Sequence, residues 1–310
     1  RHARKETGEK NLCMAGGVAL NCVGNGRILR ERIFDNIWIQ PAAGDAGGSL
    51  GAAQFVWHHV LGNPLNASGS RDRQSGSYLG PAFAASDLRT WATRNGYPFH
   101  DTKGAVADRT ADLLAREKVV GWFSGRMEYG PRALGARSII GDARSPTMQS
   151  DMNIKIKFRE SFRPFAPTCL REDVATYFEM TEESPYMLLV ADVRPERRRV
   201  MAADEEKLFG IEKLNTIRSD IPAVTHVDYS ARIQTITRED HAAYYDLIKA
   251  FKARTGYGVI INTSFNVRGE PIVCTPADAY LCFMRTGIEA LVLEDLIFLK
   301  EEQPPLRDDV

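Results

Sequence analysis

The chain has 310 residues, with 40 Lys and Arg against 40 Asp and Glu, so its formal net charge is zero; 44% of it is hydrophobic and 26% charged. That balance is ordinary for a globular protein with room for one large domain or two smaller ones, and it speaks against a generally basic nucleic-acid binder. No apolar run reaches transmembrane length. The five cysteines, Cys13, Cys22, Cys169, Cys274 and Cys282, form no C-x-x-C pair, as expected of reduced core thiols in a cytoplasmic protein. The opening "RHARKETGEKNL" has neither an initiating Met nor an apolar signal stretch, so the chain is expected to begin inside a longer polypeptide.

In chain order, "NLCMAGGVALNCVGNGRILRERIF" reads as strand, glycine turn and helix, and "NIWIQP" as a second strand. "AAGDAGGSLGAAQFVWHHVLG" reads as another glycine turn opening a helix. Residues 62–81, rich in Gly, Ser and Asn, read as a linker. Beyond them, 87–95 and 106–118 read as helices and 118–123 as a buried strand. The charge-dense 194–207 reads as a solvated loop with a helical end. "ITREDHAAYYDLIKAFKARTG" is an amphipathic helix capped by Thr237, with Tyr244, Leu247, Ile248 and Phe251 on its apolar face and Gly256 as its stop. "YGVIINTSFN" is a strand running into a polar loop. "TPADAYLCFMRTG" is a helix with Thr275 as cap and Pro276 in its first turn, and "ALVLEDLIFLK" supplies closing strands.

The buried strand ends in "GRMEYGPRALGARSII", which opens a local cationic excess. Arg126, Arg132, Arg137, Arg144, Lys155, Lys157, Arg159, Arg163 and Arg171 stand against Glu128, Asp142, Asp151 and Glu160. A charge run is ordinarily a solvated face. Here it begins at a strand end, where open α/β sheets bind ligands, and arginine suits bidentate contact with phosphate oxygens. In "KIKFRESFRPFAP", alternation would place Lys155, Lys157 and Arg159 on one face of an extended segment, with Arg163 packed between Phe162 and Pro164.

Other candidates are weaker alone. In "HVDYSARIQTI", His226, Asp228, Ser230, Arg232 and Gln234 would share one face of a strand, either the solvated side of an edge or a pocket floor. Asn262, Ser264 and Asn266 could meet a nucleotide or simply end a strand in a turn. The glycine turns "AGGVALN" and "AGDAGG" each open a helix, whose N-terminus favours phosphate, but neither fits a P-loop or dinucleotide fingerprint. Asp45 could be a metal ligand or a cap. No Ser–His–Asp or Cys–His set is present.

Taken in order, "AGGVALNCVGNGRI", "IQPAAGDAGGSLGAA", "GRMEYGPRALGARSI", "KIKFRESFRPFAP", "HVDYSARIQTI" and "INTSFNVRGEPIV" strongly resemble the O-carbamoyltransferases of the nodulation-factor, cephamycin and aminoglycoside type. The resemblance covers almost the whole chain except 194–207. It implies two domains: residues 1–70 match only the C-terminal end of an actin/hexokinase-like ATPase domain. Residues 76–310 match a threonylcarbamoyl-adenylate-synthase-like domain, a twisted open α/β sheet with helices and a positively charged cleft.

The resemblance implies that the second domain combines ATP with carbamoyl phosphate to give carbamoyl-adenylate and pyrophosphate. The first domain then passes the carbamoyl group to a hydroxyl of a small-molecule acceptor. Joining two polyanions needs charge neutralisation more than a nucleophilic side chain. Carried over by motif, Arg126 and Arg132 would hold carbamoyl phosphate or ATP phosphates, and Lys155, Lys157, Arg159 and Arg163 would extend the cleft. Arg232 and Ser230 would face phosphates or adenylate, and Asn262 and Ser264 would bind nucleotide. Gly16, Gly17 and Asn21 match the first domain's nucleotide motif. Asp45 matches a metal-ligand aspartate, with Fe2+ the family's usual metal there and Mg2+ accompanying ATP. The family's paired metal-ligand histidines fall upstream of Arg1, so this chain alone is expected not to complete the transfer. A homodimer is open, and neither nucleic acid nor membrane is implied. The competing readings are a threonylcarbamoyl-adenylate synthase of tRNA modification, using threonine and bicarbonate, and a non-catalytic nucleotide-binding remnant.

Overall fold

The glycine turns near the start separate strands from helices as read. Helix α1 (His2–Thr7) is followed by strand β1 (Asn11–Met14), helix α2 (Cys22–Arg30), strand β2 (Asn36–Ile39) and helix α3 (Asp45–Phe55). The structure is a computed structural model describing residues 1–66, 72–214 and 216–306. Asn21 caps α2 by accepting from the Gly24 N–H at 3.1 Å. β1 and β2 pair in parallel, Cys13 opposite Trp38. α3 buries no residue, and Phe55 at its end and Val56, Trp57 and Val60 after it are exposed.

The next elements are α4 (Ala85–Asn95), β3 (His100–Asp101), α5 (Val106–Ala115), β4 (Val120–Phe123), β5 (Arg137–Asp142), α6 (Met148–Lys155), β6 (Ala166–Leu170), α7 (Val174–Tyr177) and β7 (Leu189–Asp192). They are followed by α8 (Ala203–Glu206), α9 (Gly210–Leu214), β8 (Ser230–Ile236), α10 (Ala242–Thr255), β9 (Val259–Ser264), α11 (Pro276–Arg285), β10 (Ala290–Leu293) and β11 (Leu296–Leu299). Their strands form one nine-stranded open sheet, ordered β3-β11-β10-β4-β5-β9-β6-β8-β7. β4–β10 and β6–β8 are parallel and the other neighbours antiparallel. The chain is therefore α/β, with the open sheet expected.

The central strands β4, β5, β6 and β10 are buried along their whole length, because helices cover both faces. On one face, Leu114 of α5 and Tyr244, Leu247, Ile248 and Phe251 of α10 pack against Trp122, Ile140 and Ile260. On the other, Leu88 of α4, Met152 of α6 and Phe283 of α11 pack around Phe123, Ile139 and Ile261. Burying a Leu or Phe side chain fully contributes about 1.5–3 kcal/mol, so this double cover makes a rigid platform. α10 ends at Gly256 in the left-handed region, φ 82. Its cap is His241 and not Thr237: the imidazole accepts from the Tyr244 N–H at 3.3 Å, while Thr237 closes the preceding turn on Asp240. Thr275 caps α11 in a capping box with Asp278, as read.

The small unit joins the large sheet through a third apolar cluster. Ala19, Ile39 and Ala43 meet Leu134, Tyr186, Met187 and Leu188. α2 lies on strand β7: the Arg30 guanidinium donates to Val190 O at 2.7 Å and the Asn25 amide to Leu188 O at 3.1 Å. Gly26 is so close to Val190 that a Cβ would strike its carbonyl.

Of the segment read as a linker, 67–71 lies outside the described residues, and 72–81 packs on the large sheet. Gln74 and Ser77 are buried there, and the Gly80 N–H donates to Met127 O at 2.9 Å. The core-thiol reading holds for Cys169 and Cys282, whereas Cys13 and Cys274 are exposed. The charge-dense stretch is a loop leading into α8, with Arg197 paired to Asp220 at 2.6 Å.

Candidate functional site

The segment between β4 and β5 folds around a carboxylate. Glu128 is buried, and its Oε1 accepts the N–H groups of Leu134 and Ala136, both at 2.7 Å, and of Arg137 at 3.3 Å. Gly130 and Gly135, φ 131 and 111, supply backbone that other residues rarely adopt, and a Cβ on Gly135 would run into the Tyr244 ring. Arg137 is fully buried and its guanidinium lies 3.4 Å over the Phe123 ring. It donates to Gly125 O, Ala136 O and Pro81 O at 2.9–3.1 Å. Burial pushes Arg137 down to about 10, with Glu128 opposing. This arginine is therefore a strut that binds loop to linker, and Arg144, forked onto Asp142 at 2.6 Å, is another.

A polar network under the sheet's end holds the same loop from below. Gln234 donates to Leu134 O at 2.7 Å, and its Oε1 accepts from Thr168 at 2.6 Å and from the Asn262 amide at 2.7 Å. Asn262 also donates to Ala133 O at 3.1 Å, and Tyr78 to Leu134 O at 2.7 Å. Strand register brings these groups together, since Thr168 lies opposite Gln234 and Ala166 opposite Asn262. Asn262 is 1% exposed, so it positions the loop and does not offer its amide to a ligand from solvent. The loop's backbone is thus fixed on both sides of Arg132.

Arg132 leaves this cradle with its Nε buried and without a hydrogen-bond partner, and so does Arg232 on β8. The Arg232 guanidinium is pushed down to about 10 by burial first and then by Arg132, with Arg159 adding to the shift and the Cys22 thiol of α2 opposing it. Arg159 is lowered by burial and by Arg163. It donates to Asn153 Oδ1 at 2.6 Å and lies 5.0 Å over the Phe165 ring. Among the described residues no carboxylate pairs with Arg132, Arg159 or Arg232. Glu160 opposes the shift of Arg159 without pairing with it; like charges gathered in this way raise the free energy of the folded chain, and a bound anion would relieve it.

Lys157 stands behind this set, 4% exposed. Its Nζ donates to Ser264 O, to Asn266 O at 2.8 Å and to Asn266 Oδ1 at 2.9 Å. Burial and then Arg159 push it down to about 7, while these acceptors favour the ammonium and work against that shift. Ser264 Oγ donates in turn to Asn266 Oδ1 at 2.7 Å, so the end of β9, Lys157 and Arg159 form one wall.

Other expected site residues fall elsewhere. Residues 155–159 are not an extended segment: Lys155 ends helix α6, is exposed and pairs with Asp151 at 2.8 Å, away from Lys157. Arg163 and Phe162 are exposed rather than packed, with Arg163 paired to Glu160 at 3.0 Å and influencing Arg159 from the rim. Arg126 is exposed and donates to Leu79 O at 3.2 Å. β8 begins only at Ser230, so His226 and Asp228 lie in the turn before it, with Tyr229 at φ 64. Ser230 is buried and committed to Asp228, its Oγ donating to Oδ1 at 2.7 Å. Gly16, Gly17 and Asn21 lie in the small unit, where Gly16 has φ 93 and Asn21 serves as the α2 cap. Asp45 is exposed in the first turn of α3. Among the described residues no group of three or more His, Cys, Asp or Glu could hold a metal ion, so these residues do not fit an iron centre on their own. Glu128, Thr168, Gln234 and Asn266 are the supports that sequence reading did not assign; Gln234 and Asn266 were visible within the strand-end motifs.

A rigid loop, two arginines each with an unpartnered Nε, and a buried lysine thus lie in one cationic region. No described helix is long and apolar enough to cross a membrane. Relatives place this arrangement in context. The chain is 57% identical over 309 residues to the uncharacterised protein sll1178 of Synechocystis, covering 98% of this chain and 50% of that one. It is 39% identical to the nodulation protein NolO of Bradyrhizobium diazoefficiens, covering 100% and 52%. It is 31% identical to the 3'-hydroxymethylcephem-O-carbamoyltransferase of Amycolatopsis lactamdurans, covering 97% and 51%. The chain thus spans about half the length of these relatives. Residues 1–54 match the carbamoyltransferase N-terminus model. The carbamoyltransferase C-terminus model matches residues 111–300, which hold the cradle, Arg132, Lys157, Arg159 and Arg232, and by that match the chain belongs to the carbamoyltransferase family.

Proposed function

We propose that this chain carries the adenylate-forming step of an ATP-dependent O-carbamoyltransferase. The carrying observation is the gathering of Arg132, in the loop before β5, and Arg159, after α6, around Arg232, near the start of β8, unpaired with any described carboxylate. In this reading water takes the phosphate from carbamoyl phosphate, leaving carbamate and inorganic phosphate. A carbamate oxygen then attacks the α-phosphorus of ATP. The bond from that phosphorus to the bridging oxygen breaks, and pyrophosphate leaves with the electron pair. The products are carbamoyl-adenylate and pyrophosphate, and the arginines stabilise the charge that builds on the phosphates. Mg2+ would enter on the phosphate oxygens. Transfer of the carbamoyl group to an acceptor hydroxyl, with AMP leaving, falls to the complete two-domain protein.

The test is to incubate the chain with ATP, Mg2+ and carbamoyl phosphate and to follow pyrophosphate. Release above a control lacking carbamoyl phosphate is expected. If ATP binds and no pyrophosphate appears, the chain is a nucleotide-binding module only. If threonine and bicarbonate support release and carbamoyl phosphate does not, the chain is a threonylcarbamoyl-adenylate synthase.

A further inference from the structure

One cavity lies beside the cationic set and has no part in the account above. It measures about 580 Å3 and lies between the loop after β9 and helix α11, within the roughly 300–1,000 Å3 of sites that take drug-sized ligands. Phe158, Val267, Ile272 and Leu281 give it an apolar lining, and Cys274 opens onto it.

Three observations connect it to the arginines. Phe158 is the residue between Lys157 and Arg159, so cavity and cationic set share one backbone wall. Phe158 is 53% exposed and its φ is 46, a left-handed conformation that bulky residues adopt only when their surroundings hold them there. The loop that lines the cavity is the loop that cages Lys157. Asn266 accepts from Lys157 on one side and donates to Glu270 O at 2.7 Å on the other, and Val267 follows it into the lining. The Asp278 carboxylate is already committed, accepting the N–H groups of Thr275 at 2.8 Å and Cys274 at 3.1 Å, so it sets no demand for a cationic ligand.

We infer that this cavity receives the purine nucleoside of ATP, with Phe158 as its stacking face, while the phosphates lie on Arg132, Arg159 and Arg232. An exposed aromatic ring on an apolar floor suits a flat heteroaromatic base. A polyphosphate on the base's far side reaches the arginines across the 157–159 wall. The inference rests on the proposed adenylate chemistry and gives the nucleotide a direction across the site.

The test uses the full chain, with calorimetry and with alkylation of Cys274 followed by peptide mass spectrometry. ATP is expected to slow alkylation of Cys274 by about tenfold or more, and inorganic tripolyphosphate, which has no base, to bind without changing that rate. Leu281→Trp, a substitution of a half-buried wall residue that fills the cavity, is expected to weaken ATP by about tenfold and to leave tripolyphosphate affinity unchanged. If ATP binds but protects Cys274 no better than tripolyphosphate and binds Leu281→Trp as tightly as the parent, the nucleoside lies elsewhere and the cavity inference is overturned while the phosphate reading stands. If neither ATP nor tripolyphosphate binds the unsubstituted chain, both are overturned.

Discussion

The hydroxyl of Tyr129 lies 2.7 Å from that of Ser49 and also donates to Ala46 O. Tyr129 belongs to the loop that carries Arg132, and Ser49 to α3 of the small unit, so this phenol adds a polar tie to the junction already made by α2 and the third apolar cluster. Tyr129→Phe removes the tie and leaves Glu128 and the Gln234 network intact. The expected outcome is a loss of about 1 kcal/mol in urea unfolding. Faster amide exchange in 45–50 is expected with it, and tripolyphosphate affinity should be unchanged.

Glu128 supports the loop from inside. Glu128→Gln keeps the shape and removes the charge from an oxygen that accepts three backbone N–H groups. Hydrogen bonds to charged groups contribute about 1.5–3 kcal/mol, and a loss of that size is expected by urea denaturation. Tripolyphosphate binding, read by calorimetry, should weaken with it because Arg132 loses its fixed origin.

The unpaired arginines trade stability for binding. Arg232→Met should raise the thermal midpoint, because it removes a half-buried cation beside Arg132 and Arg159. The same variant should lose about tenfold or more in tripolyphosphate affinity. Lys155→Ala, outside the cluster, should change neither the affinity nor the salt dependence of binding.

Lys157 gives a signed pH dependence. Its folded value is about 7, below the ordinary lysine value of about 10.4. Between the two, the unfolded chain binds more protons than the folded one, so this group makes stability rise as pH rises from about 7 to about 10. Lys157→Met should flatten the slope of the urea midpoint over that range. A bound polyanion favours the ammonium, so tripolyphosphate binding near about pH 8 should take up a proton. Calorimetric enthalpies measured in buffers of different ionisation enthalpy would show it.

Elements with a strong local pattern were legible in the sequence. α10 could be read from Tyr244, Leu247, Ile248 and Phe251, and α11 from Thr275 and Pro276, because these signals are set within a few residues. β5 and β6 were not anticipated: their residues are buried on both faces and lack alternation, so "RSIIGD" was absorbed into the cationic motif. The same limit applied to charge. Sequence alone could not separate Arg137, which stacks on Phe123 and donates to Gly125 O, Ala136 O and Pro81 O, from Arg132, since contacts such as that with Pro81 join residues far apart along the chain. The alternation in "KIKF" failed because α6 extends through Lys155 and the chain leaves the helix before Lys157, so the two lysines do not share an extended segment.

The position of α2 has a consequence for solubility. β7 pairs with β8 alone in the large sheet, and apart from Asp192 O, which accepts the Glu179 N–H at 2.8 Å, its outer side would present open backbone groups. Arg30 and Asn25 occupy the carbonyls of Val190 and Leu188, and Gly26 lets the helix backbone press against the strand. The small unit thus blocks strand addition by another molecule. Gly26→Val should prise the helix off and convert β7 into a template for self-association, visible as growing light scattering on mild heating before the core of the large sheet unfolds.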